Sequence, residues 1–213
     1  MRRLPVYLVL DTSGSMTGEP IEQVKNGVQM LVSALRQDPY ALETAYLSVI
    51  GFGNSATQLV PLTELSAFQP PGLSASGTTA FGEALQLVAE RASQEVTKSS
   101  ASVKGDWKPM VFIMTDGQPT DDWKKALGRF RQEKWGIVVG CAVDSADTAV
   151  LAEVCGEAVV RLNSADSGAI AAFFKWVSAS ISTGSQKVET SHNDVGGLSE
   201  LPPPPPEIDV VGL

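Results

Sequence analysis

The chain has 213 residues, 43% of them hydrophobic, enough for one α/β domain with its own core. Its formal net charge is −8, from 24 acidic and 16 basic residues, which excludes nonspecific nucleic-acid binding, a property that needs a basic surface. No apolar run reaches the roughly 18 residues that a membrane helix needs, so no membrane partner is expected.

In chain order, Met1-Arg-Arg leads into Leu4–Leu10, a short apolar run that meets Asp11 too soon for a secretory leader. With only two cysteines, a reducing, cytoplasmic setting is expected. Leu4–Leu10 reads as a buried strand, and Asp11-Thr-Ser-Gly-Ser15 sits where it runs out into a loop. Ile21, Val24, Val28, Leu31 and Leu35 follow at helical spacing. Ala45–Phe52 and Gln58–Leu65 read as two strands joined by a turn at Gly53, Asn54 and Ser55. Ser76-Gly-Thr-Thr79 precedes a helix over Ala80–Glu95.

Lys98–Lys108 is small and polar and reads as an exposed loop, with Trp107 a candidate for a partner surface. Met110–Met114 is a strand that ends in Thr115-Asp116-Gly117. Then come a helix over Asp122–Glu133, a strand over Gly136–Val143, a short helix over Ala146–Val154 and a strand over Ala158–Leu162. Ile170–Ile181 is a final amphipathic helix, with Trp176 in the core. Asp121, Asp122, Asp144 and Asp147 are expected as helix caps. Cys141 and Cys155 are expected as buried core thiols, since their spacing fits no metal or redox motif.

Alternation of strand and helix predicts a doubly wound, Rossmann-like α/β domain over residues 1–182. Its sheet is expected to have six strands, mostly parallel, with one antiparallel edge strand near Gln58–Leu65 and helices on both faces. From residue 183 to 213 the composition changes. Five acids stand against Lys187, and Pro202–Pro206 favours an extended conformation, so a disordered acidic tail is expected.

Ligands of open α/β sheets bind at the C-terminal edge of the strands. Asp11, Ser13 and Ser15 place one carboxylate and two hydroxyls there, a hard oxygen set suited to Mg²⁺ or Mn²⁺ rather than Zn²⁺. His192, the one histidine, lies in the tail, so a Ser-His-Asp hydrolase is not supported. No P-loop and no complete dinucleotide fingerprint occurs.

The DxSxS motif at Asp11–Ser15, the Gly-Thr turn at Ser76–Thr79 before a helix, and strand–Thr115-Asp116-Gly117 occur in an order that resembles the von Willebrand factor type A (vWA) family. The resemblance spans residues 4–182. It implies a metal-ion-dependent adhesion site in which Ser13 and Ser15 are direct ligands and Asp11 acts through water. Thr79 and Asp116 would alternate between direct and water-mediated contact. Alignment of Gly82-Glu-Ala-Leu85 with the family's helix start selects Thr79 over Thr78. The resemblance implies a non-enzymatic, metal-dependent protein-binding module.

The Arg2–Val28, Ser76–Leu85 and Leu201–Ile208 segments together resemble the bacterial tellurium-resistance (TerY-like) subfamily. That resemblance implies a scaffold in a stress response, acting with a metal-dependent Ser/Thr phosphatase and a protein kinase. Two alternatives stand beside it. One is a Mg²⁺-dependent phosphohydrolase using Asp11, although such enzymes usually carry a second Asp where this chain has Ser13, and Lys124 and Lys125 are poor candidates for the required lysine. The other is an adaptor that acts through the proline-rich tail.

Overall fold

The computed structural model describes residues 2–144, 146–162, 164 and 166–211. Its first strand, β1 (Leu4–Asp11), is buried along its whole length, as expected of a central strand covered on both faces. Helix α1 (Glu19–Leu35) follows, then a short α2 (Pro39–Thr44), β2 (Ala45–Phe52) and β3 (Ala56–Glu64). Next come α3 (Phe81–Glu95), β4 (Met110–Thr115), α4 (Trp123–Phe130) and β5 (Ile137–Val143). The remaining elements are α5 (Thr148–Cys155), β6 (Val159–Leu162), α6 (Ser167–Ser191) and β7 (Ile208–Val211).

The strands form one sheet in the order β3-β2-β1-β4-β5-β6-β7. Pairings among β2, β1, β4, β5 and β6 are parallel. β3 and β7 are antiparallel edges. β1 pairs with β2 on one side and β4 on the other, so successive helices leave this point toward opposite faces.

Alternate residues of β1 feed two cores, as the two-residue period of a strand requires. Leu4, Val6, Leu8 and Leu10 join α1 and α6 residues such as Leu31, Phe173 and Val177. Tyr7 and Val9 join Phe81 and Leu85 of α3, Phe130 of α4 and Leu151 of α5. Gly27 lets α1 approach α6: a Cβ there would lie 2.1 Å from the Phe174 ring.

The sheet differs from the expected six strands at its far edge. The segment expected as a disordered tail is built into the fold. Residues 183–191 continue α6, burying Gly184, Ser185 and Val188. Val195 is buried against the same core. The Lys187 ammonium donates to the Asp194 carbonyl at 2.9 Å and to Glu200 at 2.5 Å. The prolines then form a strap. Trp176 Nε1 donates to the Pro202 carbonyl at 2.8 Å, and beyond the strap Ile208 is buried and starts β7 beside β6. Trp176 is buried, as expected of a core residue.

Trp107 is the second difference. It is buried, not exposed, because Arg2 lies over its ring, 3.4 Å from the centroid. Helix α2 was not anticipated, although Asp38-Pro39 is a start signal: the Asp38 carboxylate accepts from the Tyr40 and Ala41 amides and Pro39 opens the helix. Both cysteines are free thiols, Cys141 buried and Cys155 partly so. Among the described residues, no helix is long and apolar enough to cross a membrane.

Candidate metal centre at the strand switch point

Asp11 ends β1 and is 1% exposed. Its Oδ1 accepts the Ser13 amide at 2.8 Å, and its Oδ2 accepts the Thr115 hydroxyl at 2.6 Å. Burial pushes the Asp11 carboxyl above the usual range. The bonds from Ser13 and Thr115 oppose this, and the Asp116 charge adds to it.

Ser13 precedes the single turn of 3₁₀ helix at Gly14–Met16 that follows, and Ser15 lies within it. Their hydroxyls are 3.0 Å apart. Ser15 Oγ then donates to Asp116 Oδ1 at 2.7 Å, linking the loop after β1 to the loop after β4. The Asp116 carboxyl is also raised, mainly by burial, against the bond from Ser15. Asp144, exposed at the end of β5 with φ +55°, adds to that rise. Among the described residues, neither Asp11 nor Asp116 is ion-paired.

Thr79 comes from the third loop. Its amide donates to Thr120 Oγ1 at 3.1 Å, and its carbonyl accepts from the Thr120 amide at 2.9 Å. The Thr79 hydroxyl lies against Gly117, 3.2 Å from where a Cβ would stand. Thr79, Thr115 and Gly117 line one small cleft. The Ser76 amide donates to the Thr12 carbonyl at 2.8 Å, and the Gly14 amide to the Gly77 carbonyl at 2.9 Å. Gly77 has φ +80°, which favours glycine, and Asn54 Oδ1 accepts the next amide, of Thr78, at 3.0 Å.

All five candidate residues thus reach one edge. Asp11, Ser13, Ser15 and Asp116 are joined by hydrogen bonds, and Thr79 stands beside Gly117. Sequence reasoning gave no role to Thr115 or Thr120, although Thr115 lies inside the quoted strand-end motif. Asp122 and Asp147 cap their own helices, as expected. Asp121 caps a different one: its two oxygens accept the Gly82 and Glu83 amides at 2.9 Å each, at the start of α3. Asp144 caps nothing among the described helices.

The donor set is two carboxylates and three hydroxyls. Among the described residues, no group of three or more His, Cys, Asp or Glu is placed to hold a metal, so a cation here would depend on the hydroxyls. A buried carboxylate without a cationic partner and all-oxygen donors fit a hard divalent cation. Of the two lysines weighed for the phosphohydrolase alternative, Lys124 turns its ammonium to Glu153, 3.8 Å away.

This fold, with three loops converging beyond the ends of β1 and β4, defines a vWA-type architecture. The chain belongs to the von Willebrand factor type A domain family, which matches residues 6–175. Domains of this family are protein-interaction modules, often with a metal-ion-dependent adhesion site.

The uncharacterized protein sll0103 of Synechocystis sp. is 35% identical over 124 residues, which are 55% of this chain and 26% of that protein. The chain therefore spans about a quarter of the length of this curated relative. Among solved structures, the pilus adhesin SpaC of Lactobacillus rhamnosus GG is similar with a TM-score of 0.69 at 15% identity, over 86% of this chain and 30% of the adhesin. Proximal thread matrix protein 1 from the mussel byssus, solved with a zinc-occupied metal-ion-dependent adhesion motif, gives a TM-score of 0.58 at 21% identity, over 83% of this chain and 46% of that one. These structural likenesses show the shared fold.

Proposed function

We propose that the chain is a metal-dependent protein-binding module and not an enzyme. One observation carries this reading: the hydrogen-bonded run Asp11–Ser13–Ser15–Asp116, with Thr79 alongside, gathers hard oxygen donors at the strand switch point, with no cationic side chain among the described residues bonded to them. Asp11, Ser13, Ser15, Thr79 and Asp116 would hold the ion, Mg²⁺ or Mn²⁺ by the hardness of the donors. When bound, the ion supplies a positively charged centre for an acidic side chain of a protein partner.

The chain's own residues set the geometry. The Thr115 and Ser13 bonds leave Asp11 no freedom to turn, so it orients the serine loop. Asp116 and Ser15 lie at the more exposed side, where a partner arrives. The two carboxylates neutralise a divalent ion, and three hydroxyls add no charge. With only one of Asp11 and Asp116 in direct contact, these residues would leave a bound divalent ion part of its positive charge, which would suit a carboxylate from outside.

The partner setting we infer is a bacterial tellurium-resistance or stress-response system in the cytoplasm, with a metal-dependent Ser/Thr phosphatase and a protein kinase as candidate partners. It rests on the resemblance of the Arg2–Val28, Ser76–Leu85 and Leu201–Ile208 segments to the TerY-like subfamily. The test is capture of these candidate partners by the full chain with Mg²⁺, with EDTA, and with Asp116→Ala. Release by both chelation and the substitution, with the circular dichroism spectrum unchanged, is the expected result. Capture that ignores EDTA but is lost when residues 202–213 are removed would overturn the reading in favour of the tail adaptor.

A further inference from the structure

A cavity of about 580 Å³ opens at the other end of the sheet, among the segments that precede β1, β4 and β5. It is well within the range of small-molecule sites. Its charge is the anomaly, because the chain as a whole carries −8. Three carboxylates line it, and each is already held by a base. Asp106 pairs with Arg3 at 2.5 Å, Glu133 with Arg129 at 2.7 Å, and Asp194 with Lys108 at 3.2 Å.

Three further cations line the same cavity: Arg2, Lys98 and Lys134. Among the described residues none of these is ion-paired. Arg2 donates to two backbone carbonyls, of Gly105 and Asp106. The ends of α3 and α4 lie nearby, and their partial negative charge would oppose an anion. Those ends are already occupied: Arg3 donates to the Glu95 carbonyl at 2.8 Å and Trp135 Nε1 to the Phe130 carbonyl at 2.9 Å.

Two indoles complete the lining. Trp135 is partly exposed and stacks on Phe130 with centroids 4.8 Å apart. Trp107 is 4% exposed, lies under Arg2, and has a buried Nε1 without a hydrogen-bond partner. Such a buried donor left unpaired is costly. The loop beside the cavity is held in shape, with the Thr97 amide donating to Asp106 at 2.7 Å and the Gly105 amide to Ser99 Oγ at 2.9 Å.

We propose that this cavity is a second binding site, for a small organic anion that carries a flat ring, the chemistry of a nucleoside phosphate. Lys98, Lys134 and Arg2 face the anionic part, and the indole of Trp135 offers its surface to the ring. The site lies at the opposite pole from Asp11 and Asp116 and does not depend on the metal-binding reading.

The experiment is titration of the full chain with ADP in EDTA, so that no divalent ion bridges phosphate to the Asp11 edge. Tryptophan fluorescence and calorimetry are read together. Saturable binding is expected, weakened at least about tenfold in the Lys98→Ala/Lys134→Ala double variant. Both lysines are exposed, so that variant is expected to melt like the parent. Adenosine and pyrophosphate are each expected to bind more weakly than ADP. Absence of saturable ADP binding, equal binding by the double variant, or tighter competition by a poly-glutamate peptide would each overturn the proposal.

Discussion

The Thr115 hydroxyl donates to Asp11 Oδ2 at 2.6 Å, so the last residue of β4 fixes the carboxylate that ends β1. The two positions are 104 residues apart in the chain and adjacent in the sheet. Thr115 is 5% exposed and is not a candidate ligand. Its hydroxyl also accepts the Gly117 amide at 3.3 Å, so it bears on the candidate metal site by holding Asp11 and the loop that carries Asp116.

Replacing Thr115 by Val therefore tests orientation apart from ligation. The shape is kept, one buried carboxylate oxygen loses its donor and the Gly117 amide loses its acceptor. We expect Mg²⁺ affinity to fall about 10-fold to 100-fold, the range seen for residues that position metal ligands. Isothermal titration checks this, with circular dichroism as the control for folding.

Asp11→Ala removes the buried carboxylate itself. Metal binding by calorimetry is expected to weaken more than in Thr115→Val, and Ser13→Ala to weaken it as well. Unchanged affinity in both Asp11→Ala and Ser13→Ala would place the ion elsewhere.

The Asp106 side chain is 6% exposed and paired with Arg3. Burial alone would raise its carboxyl, but the bonds from Arg3 and the Thr97 amide outweigh it and hold the group below the usual range. A carboxyl depressed in the fold adds stability above its unfolded pKa, about 3.9, and loses it as pH falls through the folded value. Asp106→Asn is expected to cost about 2 kcal/mol at pH 7. In urea titrations across pH, the gap between parent and variant should narrow on the acid side and stay constant from pH 6 to 8.

Removing residues 202–213 takes away the strap, β7 and buried Ile208, but leaves the metal edge untouched. Stability is expected to fall by about 2–4 kcal/mol, from the lost apolar burial and the lost β6 pairing. Mg²⁺ affinity is expected to stay at the parent value. A cut at residue 183 should be far more damaging, because it also removes buried Val188 and Val195.

Much of the fold was legible because its parallel strands are continuous apolar runs. Leu4–Leu10 and Val111–Met114 could be read as buried strands without any partner in view. The candidate site was legible for a related reason: its donors sit directly where those runs stop. What stayed hidden depended on contacts distant in sequence. Nothing local says that Asp121 caps α3, or that Arg2 covers Trp107. Residues 182–191 lack apolar periodicity, and the helix continues there because Gly184 lets it pack close to Met110 and Leu4. Ile208–Val211 is too short a run after five prolines to be read as a strand. Its place is set by the free edge of β6.

The strand order has a consequence for synthesis. The candidate metal site needs β4 inserted beside β1, yet β1, β2 and β3 are complete by residue 64. At about 5–20 residues per second, the ribosome releases Asp116 several seconds after Asp11. During that interval the nascent chain carries the serine loop but lacks Thr115 to steady it and Asp116 to close it. A chain stalled before β4 would therefore lack Asp116 and the bond from Thr115, and the candidate site is complete only once the central pair of strands has joined.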